Sequence, residues 1–119
     1  MTAQAAAVGQ VKLTIPPRAE YVLLARLALS AICRLTPLAQ DENADLKLAV
    51  TEAAAMRGGA GDAGDPLSFD FRLEQDRLVI DVAGGEPSEQ RDIARALVEA
   101  SVDECEFGAD SVRLVKALQ

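Results

Sequence analysis

Hydrophobic and polar positions alternate first over residues 11–15, where Val11, Leu13 and Ile15 are separated by Lys12 and Thr14. A period of two predicts a strand. Pro16-Pro17 ends it, and proline is well suited to the residues just before a helix. From Arg18 to about Leu35 the apolar residues Tyr21, Leu24, Ala25, Ala28, Ile32 and Leu35 fall at helical spacing, and Pro37 stops the run. Asp41 is the expected N-cap of a second helix, whose apolar stripe is Leu46, Ala49, Val50 and Ala53. Arg57-Gly58-Gly59-Ala60-Gly61-Asp62-Ala63-Gly64-Asp65-Pro66 reads as a flexible loop.

The clearest strand follows. Leu67, Phe69, Phe71 and Leu73 alternate with Ser68, Asp70 and Arg72. Gln75-Asp76 predicts a tight turn. Leu78, Ile80 and Val82 then face one way and Val79 and Asp81 the other, completing a β-hairpin. Gly84-Gly85-Glu86-Pro87 breaks the pattern. A third helix is expected from about Ser88 to Val102 with Ile93, Leu97 and Val98 inward. Gly108 and Asp110 mark a turn, and Val112 and Leu114 belong to a last strand. The order β-α-α-β-β-α-β predicts an α+β two-layer sandwich: a mixed, mostly antiparallel four-stranded sheet covered on one face by three helices. Residues 1–9 are Ala-rich and expected to fray, leaving residues 10–119 as a single domain.

Composition narrows the chemistry. The chain has 119 residues, enough for one modest core, and carries one tyrosine, three phenylalanines and no tryptophan. The core must therefore rest on aliphatic side chains. A formal net charge of −7 argues against nucleic-acid binding, which needs clustered Lys and Arg. The absence of histidine removes imidazole-based triads and zinc sites. Cys33 and Cys105 form no CxxC pair, and Cys33 shares a helix with Ile32 and Leu35, which favours packing. Asp62, Asp65 and Asp70 lack the spacing of a calcium loop, and the glycines at 58, 59, 61 and 64 are not followed by the Lys-Ser/Thr of a phosphate loop. We expect no metal. No signal peptide and no run of membrane-spanning length is visible, so a cytoplasmic protein without membrane contact is expected.

The run Ala44-Asp45-Leu46-Lys47-Leu48-Ala49-Val50-Thr51-Glu52-Ala53-Ala54-Ala55-Met56 resembles the signature helix of the anti-sigma-factor serine kinases, a branch of the GHKL ATPases with the histidine-kinase-like (Bergerat) fold. Ile15-Pro16-Pro17-Arg18-Ala19-Glu20-Tyr21-Val22-Leu23-Leu24-Ala25-Arg26 is similar to the first strand and helix of that family. Ala96-Leu97-Val98, Val102 to Gly108 and Val112-Arg113-Leu114-Val115-Lys116 are similar to its end. The resemblance covers about Val11 to Leu118. It implies a truncated version of that fold and a homodimer. It also implies that Glu52 stands where the family has its catalytic base, and that Arg26 stands where an arginine touches both the sigma factor and its competitor, a STAS-domain anti-anti-sigma protein. Glu20 and Arg34 would flank that surface.

Three departures concern ATP. The family's magnesium-binding asparagine is replaced by Met56, whose thioether is a poor ligand for a hard cation. Gly84 falls where the family has the aspartate that recognises adenine, and Asp81 has the wrong strand parity to replace it. The glycine-rich lid is missing, since Gln90-Arg91-Asp92-Ile93 contains no glycine. We therefore expect no ATP or magnesium cofactor. The expected function is a regulatory protein that binds a sigma factor, a STAS-domain protein, or both. Two alternatives stand beside it: an active ATP-dependent serine kinase acting on a STAS antagonist, and a non-catalytic adaptor in a stress-signalling or phosphorelay assembly.

Overall fold

The computed structural model describes residues 7–58, 64–88 and 91–118. Its order is β1 (Ala7–Ile15), a 3-10 turn (Ala19–Tyr21), α1 (Val22–Cys33), α2 (Gln40–Met56), β2 (Leu67–Glu74), β3 (Arg77–Gly84), α3 (Arg91–Ser101), β4 (Glu104–Phe107) and β5 (Ser111–Ala117). The sheet runs β1-β2-β3-β5-β4, and every neighbouring pair is antiparallel. It has five strands, so the expectation of a mixed four-stranded sheet is corrected. The added strand is β4, in which Cys105 and Phe107 alternate with Glu104 and Glu106. Four residues give too short an alternation to stand out in the sequence. The first strand begins at Ala7, within the segment expected to fray; residues 1–6, 59–63, 89–90 and 119 lie outside the described residues.

One face of the sheet is apolar in every strand. Leu67, Phe69 and Phe71 on β2 meet Leu78, Ile80 and Val82 on β3 and Val112 and Leu114 on β5, all buried. Leu29 of α1, Leu46, Ala49, Val50 and Ala53 of α2, and Ala94 and Val98 of α3 complete the same core. The stripe expected on the second helix is thus the buried one. The other two helices meet expectation in part. On α1, Ala25 and Ile32 are buried as expected, joined by Leu29 and Cys33, while Leu24 and, just past the helix, Leu35 are exposed, Leu35 at 74%. On α3, Ala94 and Val98 face in, and Ile93 is 69% exposed. Alanine fits where a helix approaches the sheet closely, which leaves the larger Ile93 at the rim.

The opposite face is mostly polar, apart from the buried Val79–Val115 pair of β3 and β5. Lys12, Asp70, Asp81, Arg113 and Glu106 form one row that crosses all five strands. The register sets Asp70 directly opposite Asp81. Arg113 answers Asp81 with a forked contact, Nε at 2.8 Å and Nη2 at 3.3 Å, and the Gln10 amide donates to Asp70 at 3.0 Å.

The joints follow local chemistry. α1 stops before Pro37, with the Thr36 hydroxyl donating to the Cys33 carbonyl at 2.8 Å. The N-cap of α2 is Ala39, not Asp41. Glu42 reaches back to accept from the Ala39 N–H at 3.0 Å, half of a capping box, since alanine offers no acceptor in return.

Candidate functional site

The end of α2 separates two concavities. Residues 52 and 56 lie on one flank of the helix, and residues 51, 54, 55 and 58 on the other, as a 3.6-residue period requires.

On the first flank, Met56 is 8% exposed and joins the core. Arg57 follows it and is the one buried charged residue among those described, 7% exposed. Its guanidinium donates from Nε to the Gly84 carbonyl at 2.8 Å, from Nη1 to the Ala109 carbonyl at 3.3 Å, and from Nη2 to the Gly85 carbonyl at 3.5 Å. All its acceptors are backbone carbonyls. The main chain repeats the connection: Glu86 N–H donates to the Arg57 carbonyl at 2.9 Å and Ser88 N–H to the Met56 carbonyl at 3.0 Å. A short parallel bridge joins Gly58 to Glu86. The segment leaving β3 is therefore drawn down onto the end of α2.

Gly84 and Gly85 make that descent possible. Both have positive φ, 89° and 59°. A Cβ at Gly84 would collide with the Pro66 carbonyl oxygen, and one at Gly85 with the carbonyl oxygen of Arg57. An aspartate at position 84 is thus incompatible with this backbone. The space that remains is a groove of about 240 Å³, with Met56, Arg57, Pro87, Arg91, Arg95 and Phe107 among its walls. That is below the roughly 300–1,000 Å³ typical of small-molecule pockets. Arg95 lies over Phe107, 4.4 Å from the ring centroid. Met56 and Gly84, which the resemblance sets where the family has its asparagine and aspartate, offer no side-chain oxygen, and the Gly84 carbonyl already accepts from Arg57, so these residues do not fit a magnesium–nucleotide complex. Among the described residues no three His, Cys, Asp or Glu side chains gather as a metal site.

On the second flank a larger cleft of about 880 Å³ opens between the start of α1 and the end of α2. Glu20 and Arg26 line it together, opposite Ala54, Ala55 and Pro87. Glu20 pairs with Arg18 at 2.8 Å. Arg26 is exposed and makes no ion pair among the described residues. Arg34 does not join this surface, because it caps the far end of α1. Glu52 is half-buried and lines neither concavity.

Sequence reasoning brought Glu20 and Arg26 to one surface and missed Arg57, which read as the start of a loop. The available signal was an arginine directly after the last apolar turn of α2, in step with a Gly-Gly pair after the hairpin.

The architecture defines a class first: an α+β sandwich of the RsbW type. It superimposes with a TM-score of 0.70 over 94% of this chain on 32% of a Mycobacterium tuberculosis chain, in the crystal structure of the RsbU and RsbW domains of Rv1364c, at 16% identity. The serine-protein kinase RsbW of Bacillus pumilus is 31% identical over 122 aligned positions, covering 93% of this chain and 75% of the relative. That of Bacillus subtilis is 29% identical over 91% of this chain and 72% of the relative. That of Bacillus cereus strain AH187 is 34% identical over 77 residues, which span about half (48%) of the relative. No family model matches the chain. The chain belongs to the RsbW serine-protein kinase family, the anti-sigma-factor kinases.

Proposed function

We propose that this chain is a non-catalytic regulator of the anti-sigma type. It binds a sigma factor, a STAS-domain anti-anti-sigma protein, or both, in the cytoplasm, without ATP, magnesium or phosphate transfer. The observation that carries this reading is the Arg57 guanidinium on the carbonyls of Gly84 and Ala109, which walls the small groove beside Met56. Control then comes from exchange between partners. A binding role is supported on α1, where Leu23, Leu24 and Leu27 are exposed, Leu27 at 56%. Such a row on one helix marks an interaction face. A second copy of the chain and a regulatory partner are its proposed occupants, with Arg26 at its edge.

Calorimetric titration of the folded protein with Mg-ATP tests the reading. No heat up to high micromolar nucleotide is expected. Saturable binding, followed by phosphate transfer to a serine of a STAS protein that Glu52→Ala abolishes, would establish the kinase instead.

A further inference from the structure

We propose that the cleft between α1 and the end of α2 binds a small amphipathic monoanion, an acid group carried on an apolar body. Its volume of about 880 Å³ lies within the range of small-molecule sites. The concavity arises because α2 presents Ala54 and Ala55 where longer side chains would fill the space. Val22 and Leu23 of α1 and Leu67 of β2 give the remaining apolar wall.

The charge of the ligand follows from what is already neutralised. Arg18 is answered by Glu20 at 2.8 Å. Arg26, on the same wall, has no ion-pair partner among the described residues, in a chain of formal charge −7. One uncompensated guanidinium matches one negative charge. Thr51 adds no competing donor, because its hydroxyl proton goes to the Lys47 carbonyl at 2.8 Å, which leaves the oxygen as an acceptor. The cleft lies across α2 from the Arg57 groove, so a ligand here needs no opening of that groove. Arg26 also stands in the partner-binding reading, so an occupied cleft would couple a small molecule to partner exchange. Only that coupling rests on the partner reading.

The test uses two dyes read by fluorescence with no partner present. 1-Anilinonaphthalene-8-sulfonate supplies the acid and the apolar body, and N-phenyl-1-naphthylamine supplies the same body without the charge. The folded chain is expected to bind the sulfonate saturably and the neutral dye more weakly. Arg26→Ala should weaken the sulfonate about tenfold or more, the worth of a charge-assisted hydrogen bond. Ala55→Phe should fill the cleft and abolish binding, while Ile93→Ser, on exposed α3 surface, should change nothing. Thermal melts establish that each variant is folded, and Arg26→Ala decides alone if Ala55→Phe does not fold. Absence of saturable binding, equal affinity for both dyes, or binding that survives Arg26→Ala overturns the proposal. Loss of partner capture with dye binding intact would leave it standing.

Discussion

The Nε of Arg57 donates to the carbonyl of Gly84 at 2.8 Å, which joins the end of α2 to the exit of the β2–β3 hairpin. A guanidinium this buried carries a desolvation cost, and no carboxylate among the described residues offsets it. Three carbonyl acceptors and the parallel bridge between Gly58 and Glu86 hold it in place. Arg57→Ala is expected to lose about 1.5–3 kcal/mol, since it removes charged-group hydrogen bonds and leaves carbonyls unmet. The corresponding fall in Tm is roughly 5–12 °C by circular dichroism. Arg57→Lys should recover only part, because a single ammonium cannot span Gly84, Gly85 and Ala109 at once. Full recovery by lysine would show that charge alone mattered.

The Gly85 position tests the same junction from the other side. Its φ of 59° strains any side chain, and a Cβ there runs into the Arg57 carbonyl oxygen. Gly85→Ala should cost at least about 2 kcal/mol in urea unfolding. A neutral result would mean that the segment after β3 does not sit on α2 as described.

The five-strand row on the open face predicts a small, salt-sensitive effect. Arg113→Ala removes the forked contact to Asp81 and leaves Asp70 and Asp81 opposed across the strands. Both partners are partly exposed, Arg113 at 46% and Asp81 at 25%, so a loss of about 0.5–1 kcal/mol is expected. It should shrink further at high ionic strength. Chemical denaturation in urea at two salt concentrations measures it.

How much of this was legible in sequence differs by element. The β2–β3 hairpin was, because each strand buries one face and four apolar residues alternate from Leu67 to Leu73. The α2 stripe was, because Leu46, Ala49, Val50 and Ala53 are all buried. The phase of α3 was legible only at Val98; in the first turn the inward residue is Ala94, smaller and less hydrophobic than the exposed Ile93 beside it. β4 was too short to announce itself. At the site, residue type alone shows that the side chains of Met56 and Gly84 offer no oxygen donor. Arg57 was not legible, because its burial depends on carbonyls contributed by Gly84 and Ala109, 27 and 52 positions away.

Burial raises the Cys33 thiol above its ordinary value of 9.0, and Lys47 only partly opposes this. The folded chain therefore holds the proton to higher pH than the unfolded chain. The Cys33 contribution to stability is intact below about pH 9 and falls away as pH rises through the folded value. Urea unfolding from pH 7 to 10 should show a steeper alkaline decline for the wild type than for Cys33→Ala. Native alkylation by iodoacetamide at pH 8 should also be slow, since the thiolate is the nucleophile. Equal alkaline slopes would remove Cys33 from the account.

The exposed leucines of α1 separate folding from binding. Leu27 is 56% exposed and absent from the core, so Leu27→Glu should change stability by no more than about 0.5 kcal/mol. If this face contacts a second copy or a partner, the glutamate buries an unpaired charge in the interface and association should fall at least tenfold. Sedimentation velocity at several protein concentrations reads self-association, and capture on an immobilised STAS-domain protein reads partner binding. A variant that melts like the wild type and no longer associates would place the interface on α1. A variant that associates normally would move it elsewhere, and the exposed Ile93 and Leu97 of α3 would be the next surface to substitute.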